Sequence, residues 1–340
     1  MPKSEAANQP VQLVVFGDIQ RDFIISVDGK TAADIPGGSA LYFAIGAAVW
    51  RKDRVGIVSQ VGDDFPISKL HFLKNHGIDI SGIQVLPYPV DNRAFHSGIR
   101  NQQQGQVPSR HYISVERDLP RELLGYHKRK MEFAGRKSEA ESRLPQMPGE
   151  YLKSHLTHFC SVKINHQLAQ TSLIQSHYPG RISLFTAEVP SERKSREQLA
   201  ASMDGVFCVT IKKKTLLEVF ALNGEDYKEI ITGAMRIKSD IVIVLLGEQG
   251  RLLLEPMSGK KWFVPLYPLR AVNPTGKNHA FCGGFATTIR YQYDPLEAVL
   301  AGAVSSSLTA EGIGIKYPLE APPQLLESRL RRLRGLVRRI

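Results

Sequence analysis

The run Asn273-Pro-Thr-Gly-Lys-Asn-His279-Ala-Phe-Cys-Gly-Gly-Phe285 has the residue types of a phosphate-binding loop that opens a helix. A loop ending at a helix N-terminus presents free N–H groups and the positive end of the helix dipole to an anion. A proton acceptor in the first helical turn is placed to take the proton of a substrate hydroxyl as it attacks a phosphoryl group. Here that position holds His279, and Lys277 and Asn278 occupy the loop where small residues would let the backbone close on phosphate oxygens. Taken alone the outline is weak, because a tight strand–helix turn has the same one.

Other groupings carry less. His279 and Cys282 share a helix face, which would suit a Cys–His nucleophile, but Cys282 falls within a packing helix. His155 and His158 sit at the edge of a strand, where a core or surface role outweighs a metal site. Cys160 and Cys208 fall in central strands and read as inert core thiols. The sequence offers no metal-ligand cluster.

The elements around the loop predict an α/β fold. Gln12–Phe16 is an apolar strand ending at Gly17-Asp18, with Asp22 just beyond it. Pro36-Gly37-Gly38 opens a run, Ser39 to Trp50, that is apolar nearly all round and so predicts a buried helix. Strand and helix patterns follow at Val55–Val61 and Ile67–His76, and Ala94–Ile99 is a further strand candidate. From Leu156 onward strands alternate with helices: His158–Val162 with Gln167–Ser176, Ile182–Phe185 with Ser191–Ser202, and Gly205–Val209 with Leu216–Leu222. Asp226–Ile237 then leads to Ile241–Leu246 and Gly247-Glu-Gln-Gly250. This rhythm predicts a mostly parallel sheet with helices on both faces. Residues 101–150 are polar, basic and without firm periodicity, which reads as a loop-rich insertion or lid. Residues 316–340 read as a basic amphipathic helix, with Leu326, Leu330, Leu333, Val337 and Ile340 on its apolar side and arginines in water.

A net charge of +11, from 44 basic and 33 acidic residues, favours anionic partners without choosing among phosphate esters, nucleotides and nucleic acid. A nucleic-acid patch is the weaker reading, because no aromatics interleave with the C-terminal arginines. The longest apolar runs are too short to span a bilayer. The start of the sequence has no apolar signal core, and the three cysteines are scattered, so a reduced, cytoplasmic setting is expected.

Together the motifs resemble the ribokinase-like, or PfkB, family of carbohydrate and nucleoside kinases, from about Val11 to Gly314. Pro36-Gly37-Gly38-Ser39-Ala40-Leu41-Tyr42 matches one family motif, and Pro274, Thr275, Gly276, Phe281, Gly283, Gly284 and Phe285 match the other. The resemblance implies a three-layer α/β/α sandwich over residues 11–315, with a small β lid from about 18–36 and 93–115. It implies substrate hydroxyls on Asp22, with Gly37, Gly38 and Tyr42 beside it, and a nucleotide along Gly247 and Gly250. It also implies an anion hole at Gly276, Lys277 and Asn278, and His279 at the catalytic position. If the protein is active, ATP and Mg2+ are the implied cofactors; if not, none is required. Some members dimerise through the lid, so either a monomer or a homodimer is compatible.

Four positions depart from the family pattern. His279 replaces the catalytic Asp, Asn273 replaces the acid that opens the motif, and Lys277 and Asn278 replace Ala-Gly. Thr210-Ile-Lys-Lys213 stands where the family has Asn-x-x-Glu, which helps to place the phosphate-bound magnesium. The expectation is a degenerate kinase that keeps a sugar, nucleoside or nucleotide pocket. Against it stand an active kinase using His279 as base, and a basic scaffold for nucleic acid or a protein partner.

Overall fold

Strands buried at every position form the centre of the molecule, a burial that requires cover on both faces. The computed structural model describes residues 10–50, 53–99, 107–126, 146–160, 180–187, 192–223 and 226–340. In chain order its first elements are β1 (Leu13–Phe16), β2 (Gln20–Ile25), β3 (Thr31–Gly37), α1 (Ser39–Ala48), β4 (Val55–Gly62), α2 (Ile67–Asn75), β5 (Asp79–Leu86), β6 (Arg93–Ser97) and α3 (Pro108–Ser114). Then come β7 (Leu156–Phe159), β8 (Arg181–Thr186), α4 (Arg193–Met203), β9 (Cys208–Lys212), α5 (Lys213–Val219), α6 (Tyr227–Ala234) and β10 (Ile241–Leu245). The chain closes with β11 (Arg251–Glu255), β12 (Lys260–Val264), α7 (Lys277–Tyr291), α8 (Pro295–Glu311), α9 (Lys316–Glu320), α10 (Pro323–Arg334) and β13 (Arg338–Arg339).

The ten-stranded sheet has the order β13-β12-β11-β10-β9-β8-β7-β1-β4-β5. From β10 to β5 every neighbouring pair is parallel, whereas β11, β12 and β13 add an antiparallel edge. Strand period decides which side chain meets which layer. Leu13 and Val15 join one core while Val14 and Phe16 join the other, and Ile241, Ile243 and Leu245 are likewise separated from Val242 and Val244. The first core is closed by α1, α7 and α8, and the second by residues of α4, α5 and α6 such as Met203, Leu216 and Ile230. This is the three-layer sandwich that the sequence predicts. Among the described residues no helix is long and apolar enough to cross a membrane.

A second sheet, β3-β2-β6, has its own core of Phe23, Ile25, Phe95, Tyr112 and Leu123. Here the expected strands are corrected. β6 ends at Ser97, and Tyr112 lies on α3, a helix that starts at Pro108. Proline suits a first helical turn and cannot donate to a strand ladder, and Tyr112 is drawn under the small sheet as an apolar plug. The small sheet is tied down at both sides. Asp34 on β3 receives Arg21 at 2.6 Å and Lys69 of α2 at 3.3 Å, and the Val27 N–H donates to the Val272 carbonyl at 2.9 Å.

The C-terminal expectation is also corrected. Residues 316–340 are not one helix. Pro322-Pro323 separates α9 from α10, and α10 ends at Gly335. Arg338 and Arg339 then pair with Phe263 and Trp262 as an edge strand, so Val337 and Ile340 leave the helix. Arg329 is not on a wet face either. It is 4% exposed, and its guanidinium donates to Ser307 Oγ at 2.7 Å and to the Glu311 carboxylate at 2.5 Å. The helix expected at Gln167–Ser176 and half of the insertion lie outside the described residues.

α1 and α7 cross with their backbones in contact. A Cβ on Gly46 would overlap the Ala280 carbonyl of α7, and one on Gly283 would overlap the Phe43 carbonyl of α1. Gly283→Val is therefore expected to cost about 1–3 kcal/mol or more by forcing the helices apart. Gly149→Ala, which meets open space, is expected to stay within about 0.5 kcal/mol of the parent in the same urea titration.

Candidate functional site

The loop before α7 is held by backbone bonds that do not depend on its changed side chains. The N–H groups of Val272 and Asn273 both donate to the Ala310 carbonyl, at 2.8 and 3.0 Å. Asn273 is buried, and its Oδ1 accepts from the Thr275 N–H at 3.1 Å. An Asx turn needs only that acceptor, so asparagine preserves the turn that an aspartate would make. Gly276 then caps α7 in the left-handed region, with φ of 75°. No side chain fits there in any case, because a Cβ would penetrate the Tyr42 ring.

Through Tyr42 the loop reaches the first strands. The Tyr42 hydroxyl donates to Asp22 Oδ2 at 3.1 Å, and His96 Nε2 lies 3.4 Å from Asp22 Oδ1. Gly37 leaves room for this carboxylate, since a Cβ on it would collide with Asp22. Asp22 has no exposed surface, and its Oδ1 has no hydrogen-bond partner. Burial, followed by the neighbouring Asp22 charge, pushes the Tyr42 phenol well above its usual range, so Tyr42 remains a donor. Gly38 is the N-cap of α1 and lies against the Asp18 carbonyl, and the Asp18 N–H donates to Ser39 Oγ at 2.8 Å. The small sheet covers this end of the site, with Asp22 on β2 and His96 on β6.

Two cavities meet on the other side of the loop, and they share Lys212, Lys277 and Asn278. One, of about 350 Å³, is lined by Phe185, Pro274, Gly276, Lys277, Asn278 and His279, with Ala187 and Lys212 completing the wall. The other, of about 270 Å³, runs along Gly247 and Gly250 and gathers Lys212, Lys213, Lys214, Arg251 and Lys277. Lys277 Nζ lies 3.4 Å from Glu248, a rim contact that exposure keeps weak. Arg251 is 3% exposed and donates to Ser306 Oγ at 3.1 Å, with its guanidinium stacked 4.5 Å from the Phe281 ring centre. Its Nε and Nη1 have no hydrogen-bond partner. Burial lowers its pKa to about 10, which leaves it charged at neutral pH.

His279 occupies the third position of α7. Its ring meets Phe185 edge-on at 5.1 Å, and its Nδ1 is buried without a partner. Burial, then the positive charge of Lys212, lowers its pKa to about 4, so the imidazole is neutral over the physiological range. His158 on β7 is buried beside Ser183 Oγ at 2.7 Å, stacked on Phe43, and held well below the usual histidine range by burial and then by His279.

The structure thus brings all of the sequence-derived residues to one end of the sheet. Asp22, Gly37, Gly38 and Tyr42 lie on the lid side of the loop, Gly247 and Gly250 lie on the other, and Gly276 to His279 lie between. The Cys–His nucleophile does not survive, because Cys282 is buried and its thiol is pushed up to about 12 by burial. Arg251 and His96 are absent from the sequence reading. Arg251 is one more residue in an apolar strand, and His96 meets Asp22 only because β6 pairs with β2 across some seventy residues of chain.

A divalent metal does not fit the donors present. The segment Thr210–Lys213 supplies no carboxylate, and neither cavity is lined by Asp or Glu. Among the described residues no group of three or more His, Cys, Asp or Glu side chains is placed to hold a metal.

The fold is that of the ribokinase-like kinases. A fructokinase from Vibrio cholerae, solved with fructose, ADP and calcium, superposes with a TM-score of 0.67 over 94% of this chain and 99% of its own, at 17% identity. A nucleoside kinase from Methanocaldococcus jannaschii gives 0.63 over 96% and 100%, also at 17% identity. In sequence the chain is 26% identical to a cytidine kinase of Thermococcus kodakarensis over 280 residues, which is 81% of this chain and 87% of that protein. No protein-family model matches the chain. The two motifs sit on one loop-and-helix framework, and in fold the chain is similar to the ribokinase-like, or PfkB, kinases.

Two histidines, buried His158 and half-buried His279, set a pH dependence. In the unfolded chain each protonates near pH 6.5, whereas in the folded protein His279 resists until about pH 4 and His158 beyond its usual range. Between these limits the unfolded state binds more protons, so stability falls as pH drops from about 6.5 towards 4. Urea unfolding of the parent minus that of His158→Gln/His279→Asn should show this loss, because subtraction removes the carboxylate contribution common to both.

Proposed function

We propose that the protein is a kinase-like protein that retains a sugar or nucleoside pocket and a nucleotide pocket but transfers phosphate slowly or not at all. The observation that carries this reading is the electrostatics of the catalytic corner. Its backbone is that of a phosphate loop, while the group at the base position is a neutral imidazole beside Lys212. A carboxylate base loses charge when it takes a proton; this imidazole would become a cation facing Lys212, the same repulsion that lowers its pKa. Absence of an effective general base costs ~10²–10⁴-fold in rate. The donor set offers no carboxylate for the metal on which in-line phosphoryl transfer relies. The substrate side supports retention of a pocket, because the Tyr42 hydroxyl donates to Asp22 and His96 Nε2 lies 3.4 Å from the other carboxylate oxygen.

One observation favours a second reading, an active kinase with His279 as base. A pKa of about 4 gives the imidazole the basicity of a carboxylate, and at neutral pH its lone pair is available. A coupled ADP-release assay over sugars and nucleosides, cytidine included, separates the two. The degenerate reading expects a rate at least ~10²-fold below that of an active kinase. It also expects a gain when Lys277→Ala, Asn278→Gly and His279→Asp are combined. Robust turnover that His279→Ala abolishes would establish the second reading instead.

A further inference from the structure

We propose that the cationic cavity beside the Gly276 loop binds a di- or triphosphate without a divalent metal, with Lys212, Lys213, Lys277 and Arg251 standing in place of the ion. The inference rests on the nucleotide reading above only for what carries the phosphates.

Three observations point the same way. The cavity along Gly247 and Gly250 is lined by Lys212, Lys213, Lys214, Lys277 and Arg251, and by no Asp or Glu. Lys214 and Lys277 meet Glu218 at 3.9 Å and Glu248 at 3.4 Å, exposed and weak contacts that leave the lining itself basic and suited to an anion of several charges. Arg251 is 3% exposed and lines this cavity, yet among the described residues its Nε and Nη1 have no hydrogen-bond partner and no carboxylate pairs with it. A buried charge without a counter-ion is costly, so an anion in the adjoining cavity gains from the Arg251 field. The third is α7, whose first turn carries Lys277 and no acid, so its free N–H groups and dipole add to the positive field.

A metal-bound nucleotide has part of its charge already neutralised. In this cavity that ion would sit among ammonium groups, with no Asp or Glu among the residues that line it. The free polyanion is therefore the better-matched guest, and Mg2+ should compete with the protein for it. The lysines are also the groups most easily removed without disturbing the core, since Lys212 is exposed and Lys277 is half-buried at the rim.

Calorimetric titration of the full chain with ATP, ADP and inorganic triphosphate, in EDTA and then in excess Mg2+, tests this. ATP should bind in EDTA, and excess Mg2+ should weaken it by about threefold or more. Lys277→Ala and Lys212→Gln, each checked for an unchanged melting temperature, should weaken metal-free binding about tenfold. Raising the salt concentration should weaken it further. ATP that binds only when Mg2+ is present would overturn the inference and leave the nucleotide reading standing. Inorganic triphosphate that binds in EDTA as tightly as ATP, and loses affinity in the lysine variants, would uphold the metal-free site and remove the nucleotide reading. No binding by any of the three would overturn both.

Discussion

The backbone-to-backbone crossing of α1 and α7 is the constraint on which the site depends. Gly46 and Gly283 let the two helices approach until carbonyl oxygens occupy the space where side chains would be. That approach brings Tyr42, on the first turn of α1, flat against Gly276, the cap of α7. Tyr42 then carries the contact on to Asp22 through its hydroxyl. Asp22, Tyr42 and the Gly276 loop are one mechanical unit. Close packing of this kind has few ways to relax, so the loop keeps its shape even where its side chains have changed.

The altered side chains act on charge and leave the framework in place. Asn273 retains the acceptor that the Asx turn needs, and Asn278 lies within the first turn of a regular helix. What changes is the sign of the surroundings. Lysines enter from the end of β9, from the start of α5 and from α7, and a neutral imidazole faces them. Several kcal/mol of interaction can ride on such charges in a partly enclosed site. An anion gains from that field, whereas a proton moving onto His279 or a metal cation is opposed by it.

The C-terminal arginines show the opposite use of charge. Arg329 is enclosed by Ser307, Glu311 and the Tyr267 ring, and Arg334 makes a two-pronged contact with Glu297 of α8 at 2.6 and 2.8 Å. These cations hold a terminal helix to the fold. The excess positive charge is thus partly structural, and part of it is gathered at the mouth of the Gly276 loop.

Local patterns in the sequence were enough to determine the layers and the loop. Period-two burial in β1 and β10, the apolar run of α1, and the glycines at 37–38, 247, 250 and 276 are each legible without a partner, because the physics behind them acts over a few residues. Pro108 and Pro322-Pro323 also carry their meaning locally, and the β lid expected over residues 93–115 and the single terminal helix overlooked it. Tertiary structure alone decided the rest. That His96 meets Asp22 depends on β2 pairing with β6, and that Arg251 is a buried cation facing a lysine-lined cavity depends on where β11 lies beside β10 and α8. The neutrality of His279 depends likewise on Phe185 and Lys212, which arrive from β8 and β9. Pairing, burial and field are sums over neighbours that the chain brings together only by folding, so no stretch of sequence contains them.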